Sequence, residues 1–109
     1  MTKLDKTWSR LAPSADVAPG SVAAFTVGNK DIAVYNVDGE FFATSNVCSH
    51  AYALLSDGFL EGHEIECPLH SGRFDVRSGK GLCSPITEDI KTYSIRVADG
   101  NIEVLLDDA

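Results

Sequence analysis

Two short Cys/His motifs constrain the fold and the chemistry of this chain more than any other feature of its sequence. One is a Cys-x-His motif at residues 48–50, and the other is a Cys-x-x-His motif at residues 67–70. Together they contain four of the six Cys and His residues in the chain: Cys48, His50, Cys67 and His70. Thiolate and imidazole groups are side chains that transition metals prefer. The two motifs therefore predict one metal centre held by two pairs of ligands.

Three interpretations of the paired motifs are open at this point. The first is coincidence, but the concentration of four such residues in two motifs argues against it. The second is a structural zinc site, although zinc sites usually begin with two cysteines two to four residues apart and end with paired histidines. The third is a [2Fe–2S] cluster in which two histidines replace two cysteines on one iron. Because both motifs mix Cys with His, the iron–sulfur cluster is favoured.

The motifs Cys48-Ser49-His50 and Cys67-Pro68-Leu69-His70 resemble the paired cluster-binding loops of Rieske iron–sulfur proteins. The resemblance extends to four residues further along the chain: Gly72, Phe74, Asp75 and Pro85. It implies one [2Fe–2S] cluster bound by the four Cys and His residues of the motifs. By the same resemblance, the two cysteines hold a buried iron and the two histidines hold an iron near the surface.

Differences from the high-potential members of this family predict a low reduction potential. Those members have an additional cysteine in each loop, joined as a disulfide, where this chain has Ala53 and Leu69. They also have a serine and a tyrosine whose hydroxyls bond cluster sulfurs, where this chain has Gly72 and Phe74. Hydrogen bonds to sulfur stabilise the more negative reduced state, so their absence lowers the potential. We expect a value of roughly −150 mV, at the low end of the Rieske range.

The sequence resembles in particular the Rieske-type ferredoxins of bacterial aromatic-ring-hydroxylating dioxygenase systems. The resemblance implies a one-electron carrier, not an enzyme, that links an NAD(P)H-dependent flavoprotein reductase to a terminal Rieske oxygenase. A small Rieske subunit of a permanent redox complex, such as a nitrite reductase, is the alternative. The chain is not expected to be an oxygenase itself. A mononuclear iron site needs two further histidines and a carboxylate, and only His63 remains.

The sequence outside the motifs predicts an all-β fold. Runs rich in β-branched and aromatic residues lie at 21–27, 31–37, 40–46, 93–99 and 101–106. Asp38-Gly39 and Asp99-Gly100 separate neighbouring runs, and such pairs favour tight β-hairpin turns. Residues 12–20 are expected to form a plain loop.

Length and composition indicate how these strands are organised. A chain of 109 residues is long enough to bury one hydrophobic core, so we expect a single Rieske domain over residues 1–109. Residues 46–86 hold both motifs and five of the nine glycines. We therefore expect a small antiparallel β barrel or sandwich that bears a loop-rich cluster-binding cap over about residues 46–86.

Charge and hydropathy argue against several classes of partner. The net charge of −7 disfavours nucleic acid, whose phosphates require clustered Lys and Arg. No run of 18 apolar residues predicts a membrane span, and the first ten residues lack the apolar segment of a secretory signal. We therefore expect a cytoplasmic monomer without a membrane partner.

Four further residues are expected to take no part in the chemistry. His63 is predicted to be an exposed turn residue, and Cys83 a structural thiol that is packed or partly exposed. Arg73 and Arg77 are predicted to be solvated charges.

Overall fold

The strands of the computed structural model, which describes residues 8–49, 53–69, 71–83 and 88–106, form two antiparallel sheets. The larger sheet contains β1 (Trp8–Pro13), β2 (Val22–Val27), β3 (Lys30–Val37), β4 (Glu40–Ser45), β8 (Thr92–Ala98) and β9 (Asn101–Leu105). The smaller sheet contains β5 (Phe59–Glu61), β6 (Glu64–Glu66) and β7 (Arg73–Asp75). The strand order is β1-β9-β8-β4-β3-β2 in the larger sheet and β5-β6-β7 in the smaller. We call the segment between β4 and β8 the cap.

Helical structure is minor in the part of the chain that the structure describes. It consists there of two single 3₁₀ turns, Ser14–Asp16 and Leu55–Asp57. Within the same described residues, no helix has the length and apolar character needed to cross a membrane. The prediction of an all-β fold is confirmed.

Side chains from both edges of the larger sheet meet in one apolar core, so the sheet curls into a nearly closed barrel. At the centre of this core, Ile32 of β3 and Ile102 of β9 are fully buried. Leu11 of β1 and Phe25 of β2 pack against the same core although their strands lie at opposite edges of the sheet. Full burial of a side chain of this size stabilises the fold by roughly 1.5–3 kcal/mol.

Strand β3 is buried on both faces and thereby joins the barrel to the cap. Because side chains of a strand alternate between its two faces, Ile32 and Val34 enter the barrel core while Tyr35 and Val37 enter a second core beneath the cap. The second core consists of Ala33, Tyr35, Val37, Cys48, Leu55, Ile65, Cys67, Phe74, Val76 and Ile90. Both cysteines of the Cys/His motifs thus belong to a core built on the outer face of the barrel.

The predicted strands and hairpins are confirmed, with ends that differ by about one residue. Both Asp-Gly pairs adopt the left-handed conformation, with φ of 53° at Asp38 and 92° at Gly39, and 52° at Asp99 and 78° at Gly100. Two successive residues with positive φ are what a type I′ hairpin turn requires.

The prediction of a plain loop over residues 12–20 is wrong at its beginning. Ala12 and Pro13 are the last two residues of β1, and a 3₁₀ turn follows directly. The register of β1 shifts between Arg10 and Ala12, so the strand lacks the regular alternation by which strands are recognised. Because β1 lies at the edge of the sheet, a proline is tolerated there.

A buried asparagine fixes the start of the cap. The side chain of Asn46 is 2% exposed and donates from Nδ2 to Ser56 Oγ at 3.0 Å, while the backbone N–H of Ser56 donates to Asn46 Oδ1 at 2.8 Å. The backbone of Asn46 donates to the carbonyl of Asp31 at 2.9 Å and accepts from the N–H of Leu55 at 2.8 Å. Asn46 therefore ties the loop that carries Cys48 both to β3 and to the 3₁₀ turn.

We predict that Asn46→Ala destabilises the fold by about 2–3 kcal/mol, because it removes two side-chain hydrogen bonds and leaves a partly buried N–H of Ser56 without its partner. The measurement is the free energy of unfolding in urea. Asn29→Ala, in the exposed turn between β2 and β3, is the matched control and is expected to change stability by less than about 0.5 kcal/mol. Equal effects of the two substitutions would contradict the assignment.

A second buried polar group makes stability depend on pH. Tyr35 is fully buried and its hydroxyl is 2.8 Å from Thr44 Oγ1. Burial raises the pKa of Tyr35 well above the ordinary value of 10.0. Burial also raises the pKa of Tyr93. Below pH 10 the hydroxyl of each tyrosine is protonated in both the folded and the unfolded chain. Above pH 10 only the unfolded chain ionises, so stability is lost as the pH rises.

We predict that the free energy of unfolding falls above about pH 10, by at most about 1.4 kcal/mol per pH unit for each such tyrosine. Tyr35→Phe lowers the free energy of unfolding by about 1 kcal/mol at neutral pH because the hydrogen bond to Thr44 is lost. It also removes the contribution of Tyr35 to the fall in stability above pH 10. Urea unfolding of wild type, Tyr35→Phe and Tyr93→Phe between pH 7 and 11 checks this. Parallel pH profiles of Tyr35→Phe and wild type would refute it.

Candidate metal centre

The first Cys/His motif lies in a loop that is closed at its base by backbone hydrogen bonds. After β4 ends, Val47 and Leu54 form an antiparallel bridge. The N–H of Cys48 then donates to the carbonyl of Ala53 at 3.0 Å. This places Cys48 at the buried end of the loop. His50 lies outside the described residues.

The second motif lies in a loop of the same construction between β6 and β7. The N–H of Cys67 donates to the carbonyl of Gly72 at 2.7 Å, and Glu66 pairs with Arg73 just below it. Ser71 adopts a φ of 58°, the left-handed region that is uncommon outside glycine, and so turns the chain back toward Cys67. His70 lies outside the described residues. In both loops the N–H of the cysteine thus bonds the carbonyl of the fifth residue after it.

The two cysteines, which are far apart in sequence, meet inside the second core. Cys48 is 3% exposed and Cys67 is fully buried, and their thiols are in hydrogen-bond contact. Burial raises the pKa of the Cys67 thiol, and the neighbouring Cys48 raises it further, while a hydrogen bond from the backbone of Leu69 opposes the shift. Neither cysteine forms a disulfide, nor does Cys83.

Two buried thiols in contact fit a site at which both sulfurs bind one iron. Thiolates in an apolar core are costly unless a cation neutralises them, and a bound metal deprotonates a thiol that burial alone keeps protonated. Within the described residues, no three Cys, His, Asp or Glu side chains come together as a ready set of ligands. Two of the four predicted ligands, His50 and His70, lie outside those residues, and the four-residue ligand set stays a prediction.

The positions that distinguish this chain from high-potential members surround the cysteines. Phe74 is fully buried on the inner face of the smaller sheet, and its ring has no hydroxyl to donate. Gly72 contributes its carbonyl to the second loop and has no side chain. Leu69 is 41% exposed and Ala53 is half-buried against the second core. Neither residue at the expected disulfide positions can form that bridge.

A third loop approaches the first from the end of the cap. The hydroxyl of Ser49, next to Cys48, donates to the carbonyl of Glu88 at 2.7 Å, so Ser49 is engaged with the third loop. Gly81 donates its N–H to Asp89 Oδ1 at 2.9 Å, and Leu82 donates to the carbonyl of Arg73 at 2.8 Å. The bonds of Ser49 and Leu82 hold this segment against the first loop and against β7, and the bond between Gly81 and Asp89 is internal to the segment. Pro85, expected in this loop, lies outside the described residues.

The structure corrects the expectations for His63 and Arg73 and adds an ion pair to that for Arg77. His63 is on a turn as expected but half-buried, with its ring edge against Phe42 at a centroid distance of 5.6 Å. The Arg77 side chain is 56% exposed, as expected for a solvated charge, and it also pairs with Asp75 at 2.9 Å. Arg73 donates to three glutamates at 2.9–3.2 Å: Glu61, Glu64 and Glu66. Arg73 pairs with glutamates on other strands of the smaller sheet, which a reading along the chain misses, whereas the partner of Arg77 lies only two residues before it.

Cys83 is exposed. Of the two environments expected for this thiol, packed or partly exposed, the structure therefore excludes the packed one.

Comparison with known proteins agrees with this geometry. The profile of the family described as "Rieske [2Fe-2S] domain" matches residues 7–94. The ferredoxin component of the naphthalene 1,2-dioxygenase/salicylate 5-hydroxylase systems of Ralstonia sp. is 50% identical over 94% of this chain and 97% of its own length. The ferredoxin of carbazole 1,9a-dioxygenase from Nocardioides aromaticivorans IC177 is 38% identical, with a TM-score of 0.87, over 90% of this chain and 96% of that one.

Two further structures bear on partners and on the alternative. A chain from a complex of reduced oxygenase and oxidised ferredoxin in carbazole 1,9a-dioxygenase is 35% identical, with a TM-score of 0.86, over 93% of this chain and 94% of that one. A nitrite reductase small subunit from Mycobacterium tuberculosis has a TM-score of 0.85, covering 97% of this chain and all of its own, but is only 21% identical. That second likeness reflects the fold alone.

The match to the Rieske family, the matched loops with their buried cysteine pair, and the identity at half of the residues aligned with a ferredoxin component leave no support for a structural zinc module. The chain belongs to the Rieske [2Fe–2S] family, whose cofactor is a [2Fe–2S] cluster.

Proposed function

We propose that this chain is the ferredoxin of an aromatic-ring-hydroxylating dioxygenase system. It carries single electrons from an NAD(P)H-dependent flavoprotein reductase to a terminal Rieske oxygenase and has no catalytic site of its own. The proposal is carried by the matched pair of loops that hold Cys48 and Cys67 in a chain of the same length and sequence pattern as ferredoxin components. When bound, the [2Fe–2S] cluster takes up and releases one electron at a time.

We assign the cluster to Cys48 and Cys67 in the second core and to His50 and His70 of the same two sequence motifs. Apolar side chains surround Cys48 and Cys67 and exclude water from this side of the site. The N–H groups of both cysteines are engaged within their own loops, which fixes the backbone on which each sulfur is held. Cysteine ligands on a backbone fixed in this way change little in position when an electron is gained or lost.

Exposed apolar side chains in the two motif-bearing loops and in the segment between β7 and β8 support a carrier that docks through this end of the molecule. Of the six large apolar side chains that are exposed in the described part of the chain, four lie there: Val47, Leu54, Leu69 and Leu82. An exposed apolar patch that is framed by polar groups is typical of a contact surface. A small patch suits brief contacts with two partners in turn, because weak electron-transfer complexes bury little surface. This favours a diffusing carrier over a subunit of a permanent complex such as nitrite reductase.

We predict that substitution of any one proposed ligand abolishes cluster assembly or electron transfer, with most of the β scaffold still folded. The set is Cys48→Ser, Cys67→Ser, His50→Ala and His70→Ala. The measurements are iron and sulfide content, visible absorption, and electron paramagnetic resonance after one-electron reduction, with circular dichroism for the fold.

The chain offers a matched control for each type of ligand. Cys83→Ser removes the exposed third cysteine, and His63→Ala removes the histidine that packs on Phe42. Both are expected to keep the iron and sulfide content of the wild type. A fully active His70→Ala protein, or loss of iron in Cys83→Ser, would overturn the ligand assignment.

We predict a midpoint potential of roughly −150 mV for the wild-type protein. Phe74 and Gly72 offer no hydroxyl to the sulfurs, and Ala53 and Leu69 form no disulfide, so the features that raise the potential are missing. A spectroscopic redox titration measures it directly. A midpoint well above zero would contradict this explanation.

A further inference from the structure

A groove of about 350 Å³ opens beside the loop that carries Cys48. The described residues that line it are Asp31, Val47, Ala53, Leu54 and Asp57. Three of these belong to the base of the first loop, one lies at the start of β3, and one ends the 3₁₀ turn. The groove therefore combines an apolar floor with two carboxylates.

The floor of the groove is apolar and open to a partner. Val47 and Leu54, which form the antiparallel bridge at the base of the first loop, are 37% and 43% exposed. They are two of the few large apolar side chains that the described surface leaves in contact with water. A floor of this kind accommodates the aliphatic stem of a long side chain.

The walls of the groove carry negative charge. Asp31 and Asp57 are both exposed, and within the described ranges neither takes part in an ion pair. The Oδ1 atom of Asp31 accepts a hydrogen bond from Thr26 Oγ1 at 3.2 Å. A groove lined by apolar side chains and two carboxylates is complementary to a lysine or arginine side chain, whose stem is apolar and whose head is cationic.

The groove also lies next to the metal centre. Val47 directly precedes Cys48, and the carbonyl of Ala53 accepts the N–H of Cys48. A cation held in the groove would therefore lie beside the loop that carries Cys48, one of the residues that would hold the cluster. The reduced protein carries one more negative charge than the oxidised protein, so it attracts such a cation more strongly.

We propose that this groove receives a lysine or arginine side chain of the terminal oxygenase. This inference rests on the proposed function and names the partner surface that the function needs. An electron acceptor must bind the reduced carrier and release the oxidised one, whereas the reductase must do the reverse. A basic side chain beside Cys48 binds the reduced protein more strongly than the oxidised protein, and this is the preference that the oxygenase requires.

The test uses the cluster-loaded protein with the oxygenase and, separately, the reductase of a naphthalene 1,2-dioxygenase system. Variants are Asp31→Asn, Asp57→Asn and the double variant, and the control is Asp99→Asn in the β8–β9 hairpin, at the end of the barrel remote from the cap. The amide introduced by Asp31→Asn keeps an oxygen that accepts from Thr26. Visible absorption and thermal unfolding verify that every variant holds its cluster and its fold.

Each single substitution is expected to raise the half-saturating ferredoxin concentration with the oxygenase roughly two- to fivefold at low salt. The double variant is expected to show the larger increase and a flatter salt dependence, with the maximal rate unchanged. The oxygenase is also expected to lose part of its preference for reduced over oxidised protein. Asp99→Asn and all reactions with the reductase are expected to match the wild type.

Several outcomes would overturn the proposal. If the double variant saturates the oxygenase like the wild type, the groove is not its docking site. If the variants weaken only the reaction with the reductase, the occupant belongs to the reductase. If the wild-type protein passes no electrons to any oxygenase, the proposed function itself fails, and this is seen before any variant is compared.

Discussion

The contact between two buried thiols is the constraint on which the rest of the cap depends. Cys48 and Cys67 lie in different loops, and they meet because β3 offers a second apolar face and the smaller sheet packs onto it. Burial in this core raises the pKa of the Cys67 thiol, and a cation that neutralises the thiolate removes this cost. The core therefore favours retention of a metal centre once it is bound, and it holds the backbones of both cysteines in place.

The outer face of the smaller sheet shows how a cap this small tolerates a high density of charge. Glu61 and Glu64 are directly opposite each other, an arrangement that is destabilising between like charges. Arg73 lies within 3.2 Å of both and within 2.9 Å of Glu66. Because the strands are only three residues long, this shared cation links all three of them. The pairs are partly exposed, so their net contribution is modest, and their main effect is to cancel a repulsion.

Sequence reasoning succeeded where one residue type has one structural meaning. The Asp-Gly pairs required positive φ and formed hairpins, and the run of β-branched and aromatic residues in β3 formed a strand. Prediction from the sequence failed where the structure of a segment depends on residues that are close to it only in the folded chain. The register shift in β1 removed the alternation, and β7 is too short to have a pattern. Asn46 at the end of a strand run looks like any loop residue, since its role arises from Ser56, which only the folded chain brings to it.

A diffusing carrier needs contacts that form quickly and break quickly, and the cap end of this molecule meets both needs. Charge at the groove, on Asp31 and Asp57, accelerates encounter with the oxygenase and orients it, and water and salt screen this charge once the oxygenase leaves. The apolar residues between them, Val47 and Leu54, supply attraction only over a small area. A larger apolar patch would lengthen the lifetime of the complex and slow turnover, because differences in affinity arise mainly in the dissociation rate. The mixture of few apolar and few acidic residues thus limits affinity in favour of exchange.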